Sequence, residues 1–215
     1  MKERYLLAHQ HEVQSILAGR QSQFRRVIKP QPEGADYWTV IHVMGLRDSF
    51  YPNTTKATPA RLACPYGQSG DMLWVRETWR VNRTYDDLPP RLVYDAMGGD
   101  VAYCVDYRAD GQDVAWGGRW RPSIHMPRWA SRLTLRVTAV RVEQVQVITY
   151  SDALAEGCPT PSLHDEIPPL RDGDGKIVRP GLVGPVAWFA NLWDSINAKR
   201  GYGWDTNRWV WVVEF

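Results

Sequence analysis

The stretch that decides the fold is Arg132-Leu133-Thr134-Leu135-Arg136-Val137-Thr138-Ala139-Val140-Arg141-Val142-Glu143-Gln144-Val145-Gln146-Val147. Leu133, Leu135 and Val137 alternate with Arg132, Thr134, Arg136 and Thr138, the period-2 pattern of a half-buried strand. The phase slips at Ala139-Val140, continues through Val142, and slips back at Val145 and Val147. A slipped phase inside one β-rich run predicts bulges or a sharp bend, because a one-residue slip turns every side chain to the opposite face.

The flanking elements extend the pattern. Upstream, Gly70-Asp71 opens a strand over 72–80, with Met72, Trp74, Arg76 and Thr78 on one face and Leu73, Val75, Glu77 and Trp79 on the other. A charge on each face predicts that neither is wholly buried. Shorter strands are expected at 38–44, 91–94 and 101–107. Downstream, a short helix over 151–157 is capped by Ser151 or Asp152 and stopped by Gly157. Pro185 suits the first position of a helix over 186–199. Phe189, Leu192, Trp193 and Ile196 form its apolar stripe, and Gly201 ends it. The strand 208–215 places Trp209, Trp211, Val213 and Phe215 on one face. Near the N-terminus, Val13, Ile16 and Leu17 mark a helix over 11–18 closed by Gly19. Residues 20–32 are basic and then broken by Pro30 and Pro32.

Strands and helices do not alternate, which argues against a doubly wound parallel sheet. The expectation is an α+β fold: a single domain over 1–215 built on a small mixed or antiparallel β-barrel with flanking helices. Gly-, Pro- and Asn-rich stretches at 45–70 and 158–184 read as long loop insertions.

Composition narrows the function classes. With 44% hydrophobic and 23% charged residues, the chain is neither disordered nor fibrous. No apolar run is long enough for a membrane span, and the first residues lack a signal-peptide core. Cys64, Cys104 and Cys158 are odd in number and widely spaced, which predicts a reduced, cytoplasmic protein without disulfides. Of the 26 Lys+Arg residues only Lys2, Lys29, Lys56, Lys176 and Lys199 are lysines, which leaves 21 arginines; there are also 11 tryptophans. Guanidinium forks and flat indoles suit phosphates and bases. The formal net charge of +2 is far from that of a protein held on phosphates alone. Asp172-Gly173-Asp174-Gly175 lacks the spaced ligands of a calcium loop and reads as a turn. His9 and His11 point apart on a helix, and His125 reads as a turn residue. No cofactor or metal is expected.

Three segments in order carry a resemblance. They are Ile16-Leu17-Ala18-Gly19-Arg20-Gln21-Ser22-Gln23-Phe24-Arg25-Arg26, then Gly70-Asp71-Met72-Leu73-Trp74-Val75, then the strand 132–147 followed by Asp152-Ala153-Leu154-Ala155-Glu156-Gly157. This order resembles the ASCH domains of the PUA-like superfamily, with their "I-L-x-G-x-K-T-x-T-x-R" segment, "G-D-x-L-x-V" strand and a helix bearing a Glu. The segment Trp193-Asp194-Ser195-Ile196-Asn197 and the last strand look like those of bacteriophage and prophage members, so a bacterial host is implied.

The resemblance implies a PUA-like barrel whose cleft takes RNA, DNA or a modified cytidine nucleoside. One branch of the family hydrolyses N4-acetylcytidine with a Lys, a Thr and a Glu. Here Gln21 stands at the Lys position, Phe24 at the Thr position, Glu156 at the Glu position and Arg26 at the final Arg. Gln21 exchanges no proton near neutral pH and Phe24 has no nucleophilic atom. The expected function is therefore a binding module: Phe24 or a tryptophan stacks on a base, Glu156 or Gln21 bonds its edge, and Arg20, Arg25, Arg26 and Arg128 hold phosphates. Two alternatives stand beside it. One is an amidohydrolase of N4-acylated cytidine, or a ribonuclease, with Glu156 as base and Ser22 and Lys29 as displaced nucleophile and base. The other is a phage accessory protein that binds a host protein through 45–70 or 158–184.

Overall fold

The phase slip at Ala139 marks a change of sheet. The structure, a computed structural model, describes residues 1–32, 35–41, 48–54, 62–99, 101, 104–159 and 184–215. In chain order its elements are β1 (Glu3–Leu7), α1 (Gln10–Leu17), β2 (Gln23–Val27), β3 (Ala35–Ile41), β4 (Ser49–Thr54), β5 (Met72–Arg76), β6 (Trp79–Val81), α2 (Pro90–Ala96), β7 (Val105–Tyr107), β8 (Thr134–Arg136), β9 (Ala139–Gln144), α3 (Tyr150–Ala155), α4 (Gly184–Asn197) and β10 (Trp209–Glu214). This is an α+β fold. Among the described residues the strands form two three-stranded and two two-stranded sheets, and none closes into a barrel.

The chain divides into two compact units that alternate along the sequence. The first comprises Met1–Ala18 and Gly70–Val137, the second Gly19–Ser69 and Thr138–Phe215. The boundary between Val137 and Thr138 explains the slip. β8 pairs with β5 in the first unit, whereas β9 pairs with β10 in the second. The two halves of the run face different cores, so no single phase serves both.

In the first unit β5 is central, parallel to β1 and antiparallel to β8. Leu6, Leu73 and Val75 are buried on one face of this sheet. Val75 packs with Ala8, Val13 and Ala109, and with partly buried Leu133 and Leu135. The strand expected over 72–80 stops at Arg76 and resumes as β6, paired with β7. The expectation of a charge-bearing, half-open face fails on the Glu77 side. Glu77 is only 2% exposed. Its carboxylate accepts Nε and Nη2 of Arg132 at 3.0 and 3.1 Å. Burial raises its pKa despite that partner.

The strand expected at 91–94 is the helix α2. Pro90 fixes the backbone of the first turn, and Val93 is buried among Trp79, Val81 and Met126. Of the expected 101–107 strand, Val105–Tyr107 form β7, and residues 102–103 lie outside the described residues. Strand 38–44 is displaced to Ala35–Ile41, and residues 42–47 lie outside the described residues. The stretch 45–70, expected as a loop insertion, carries the strand β4 over Ser49–Thr54, antiparallel to β3, whereas 160–183 of the second expected insertion lie outside the described residues.

In the second unit β10 is central, antiparallel to β2 and β9. Val210 and Val212 pack against Phe189 and Trp193 of α4 and Ala153 of α3. Trp211 turns to the opposite face and meets Phe50 edge-on, ring centroids 4.9 Å apart. Two of the expected helices therefore form one cover over one face of a three-stranded sheet.

Candidate functional site

The first and third motifs meet in the second unit. Gln21 and Glu156 form an isolated antiparallel bridge. Ser22 N–H donates to the Ala155 carbonyl at 2.9 Å. Glu156 closes α3, and Gly157 follows with φ 91°, a conformation that favours glycine. The helix cap is Thr149 rather than Ser151 or Asp152. Thr149 Oγ1 accepts Asp152 N–H at 3.1 Å, and Asp152 Oδ2 accepts Thr149 N–H at 3.1 Å. This reciprocal box places Asp152 and Glu156, four residues apart, on one side of the short helix.

Opposite them β2 contributes Arg25. Its side chain has no exposure to solvent. Nη1 donates to Glu156 Oε1 at 2.8 Å, and Nη2 lies 3.2 Å from Glu143 Oε2 and 3.4 Å from Asp152 Oδ2. The guanidinium also lies 5.7 Å from the centre of the Phe189 ring. Arg141 of β9 extends the cluster, with Nε 2.5 Å from Glu143 and Nη2 2.8 Å from Asp152, and a third bond to Glu214. Two guanidinium charges among four carboxylates leave the cluster formally two charges negative. Burial works against the Asp152 charge. The Thr149 donors, Arg25 and Arg141 outweigh it and hold its carboxyl below the ordinary aspartate range.

Beside this cluster lies a cavity of about 290 Å³, lined by Ser22, Gln23, Thr138, Ser151, Asp152, Ala155, Glu214 and Phe215. Gln23 Nε2 donates to the Asp152 carbonyl at 3.0 Å. Glu143, Arg141, Asp152 and Glu214 were not singled out as site residues by the sequence reading. The signal was available in Arg141 and Glu143. Two charges at i and i+2 in a valine-rich strand share a face, and such a face needs charged partners if covered.

The expected division of labour among site residues changes. Phe24 and Arg25 are adjacent in a strand, so they point to opposite faces. Arg25 enters the ion cluster under α3. Phe24 is fully buried on the other side, its ring 5.1 Å from Tyr66 and 6.1 Å from Phe215, with the Arg26 guanidinium 5.0 Å away. Phe24 therefore offers no face for a base, and Arg25 offers no donor to phosphate. Gln21 is 6% exposed, donates to the Gln23 carbonyl at 3.0 Å, and leaves its Oε1 without a hydrogen-bond partner. Arg26 is half-buried and donates to its neighbour's carbonyl, whereas Arg20 is exposed. Lys29 lies over the Tyr202 ring at 5.2 Å.

Arg128 belongs to the first unit. It pairs with Glu3 at 3.3 Å and approaches Trp74. His125 lines a separate cavity there, with Arg119, Trp120 and Arg121. No group of three or more His, Cys, Asp or Glu among the described residues is placed to hold a metal ion. No helix among them is long and apolar enough to cross a membrane.

Comparison with family models, curated proteins and solved structures returns no match.

Proposed function

We propose that the cavity beside Asp152 binds a single nucleoside, of the modified-cytidine type, either free or presented by an RNA, and that the chain is a binding module. The lining carries this reading. Three hydroxyls, a glutamine and two carboxylates surround about 290 Å³. Such a set accepts hydrogen bonds from an exocyclic amine and from ribose hydroxyls. The volume is at the small end for ligand sites, nearer one nucleoside than a strand. The carboxylate excess of the adjoining cluster opposes a phosphate at this position, since like charges repel most where water is scarce.

Kinship with ASCH domains, and the PUA-like arrangement it implies, belongs to the same proposal. Its support is the ordered motif set and the meeting of two of those motifs at Gln21 and Glu156. The hydrolase alternative would place Ser22, on the cavity lining, beside Glu156 as base. The Glu156 carboxylate is engaged by Arg25 at 2.8 Å. A base so occupied is poorly placed to take a proton, which favours binding.

Calorimetric titration of the full chain with cytidine, N4-acetylcytidine and cytidine 5′-monophosphate tests this. Nucleosides should bind and the monophosphate bind more weakly. Ser22→Ala should weaken the nucleoside by about 2- to 10-fold, one lost hydrogen bond. Absence of heat with every nucleoside refutes the proposal. Release of cytidine from N4-acetylcytidine, read by chromatography, would replace binding with hydrolysis.

A further inference from the structure

The first unit carries a second surface of different chemistry. The register of β1, β5 and β8 places Glu3, Met72 and Arg136 in one row, Tyr5, Trp74 and Thr134 in the next, and Leu7 with Arg76 in the third. These residues share one face of the sheet. The opposite face carries Leu6, Leu73 and Val75, all buried. The outer face is open: Tyr5 is 50% and Leu7 38% exposed. Trp74 belongs to this outer face and is half-buried there.

The rings on this face are dressed with guanidinium groups. Arg76 lies 4.8 Å from the Tyr5 ring centre and 5.2 Å from that of Trp74. Its Nε and Nη2 donate to the Met126 and Ile124 carbonyls at 2.8 and 2.6 Å, which fixes its plane. Arg128 lies 5.9 Å from Trp74. Arg136 is exposed beside Met72. The three arginines face one carboxylate on these rows, Glu3, which is itself paired with Arg128. The face is therefore cationic, aromatic and held in place by a sheet.

We propose that this face binds single-stranded nucleic acid. Exposed aromatic rings take bases by stacking, and guanidinium groups take phosphates or stack in turn. Stacking requires unpaired bases, because a duplex hides their faces. The positive excess matches a phosphate backbone and opposes a cationic partner. Tyr5 supplies the open stacking face, Trp74 and Arg76 its wall, and Arg128 and Arg136 the phosphate contacts. This site is independent of the nucleoside cavity, because it uses other residues in the other unit.

The test is fluorescence anisotropy of the full chain with labelled oligouridine, oligothymidine of equal length and a matched duplex. At low salt one or both single strands should bind at least about 10-fold more tightly than the duplex. Tyr5→Ala should raise Kd about 5- to 100-fold, the loss of one stacked base. Tyr5→Phe should hold Kd within about 2-fold, since the ring is retained. Tyr5→Leu keeps apolar bulk on the strand and should bind as poorly as Tyr5→Ala, which separates lost stacking from lost fold. Arg136→Ala should reduce the salt slope by about 0.7. Equal binding of duplex, no binding of either strand, or an unchanged Kd in Tyr5→Ala overturns the proposal. Nucleoside binding measured by calorimetry should be the same in Tyr5→Ala, so failure of one site is distinguishable from failure of the other.

Discussion

Arg25 is the residue on which the second unit's polar core turns, and Arg25→Met measures it. Methionine keeps the unbranched apolar stem of the side chain but removes the guanidinium, and with it the charge and the contact over the Phe189 ring. Arg25 has three carboxylate neighbours, and they do not suffer equally. Glu143 and Asp152 are 22% and 17% exposed and retain Arg141 at 2.5 and 2.8 Å. Glu156 is 6% exposed, the most buried of the three, and loses its 2.8 Å bond to Arg25. The loss is therefore close to that of one broken buried pair, about 3–5 kcal/mol, most of it the desolvation of a buried charge deprived of this partner. For a chain of this size that is a fall in Tm of about 6–20 °C. Urea unfolding followed by tryptophan fluorescence reads it, with Trp193, Trp204 and Trp211 as buried reporters in the same unit. The second arm removes both charges. Arg25→Met with Glu156→Met removes both members of the buried pair and should recover to within about 1 kcal/mol of the original chain. A loss below about 1 kcal/mol for Arg25→Met, or a double variant no more stable than the single one, would refute the claim that Glu156 depends on Arg25.

Two further outcomes follow from burial and charge. Asp152 has a folded pKa below its unfolded one, so its stabilising contribution is complete above about pH 4 and is lost as pH falls through the folded value. Asp152→Asn should flatten the acid limb of a stability–pH profile; an unchanged limb would exclude Asp152 as its source. Burial pushes the Cys158 thiol up to about 11, and Cys158 and Cys64 are 2% and 3% exposed, whereas Cys104 is partly exposed. At pH 8 about a thousandth of Cys158 is thiolate, so an aromatic disulfide reagent should titrate Cys104 first and the other two only after denaturant. Three equally fast thiols would contradict this packing.

Elements with local signals were legible in the sequence. The helix α4 has a proline in its first turn, Phe189 and Trp193 four apart, and Gly201 beyond its end with φ 80°. Glu156, Gln21 and Ser22 were found through the ordered motifs, and they do come together. What the sequence hid was partnership at a distance. Arg25 meets Glu143 and Glu156, 118 and 131 residues away. Nothing near Arg25 distinguishes a buried arginine from a phosphate-binding one, so its basic neighbourhood suggested a rim. The strand β2 was the missing step. Once Gln23–Val27 is extended, alternation alone separates Phe24 from Arg25 and excludes a cleft fronted by both. The helix α2 was hidden for another reason: Leu92, Val93 and Tyr94 mimic a strand run, and Pro90 at the start of the helix decides the matter.

The near-neutral total of the chain conceals two opposite local balances. In the second unit four carboxylates hold two arginines, and the adjoining cavity carries Asp152 and Glu214 on its wall. In the first unit three arginines face one glutamate on an aromatic sheet surface. A phosphate-bearing strand gains at the second of these surfaces and is repelled at the first. An uncharged nucleoside is indifferent to both fields and answers only to the hydrogen bonds of the cavity. Salt should therefore act on the two proposed ligands differently: released counterions would drive the strand and vanish as a driving force when salt is added, while the nucleoside would release none. A net charge of only +2 is thus no argument against the proposed strand-binding face, because the relevant charge is that of one sheet face and not of the molecule.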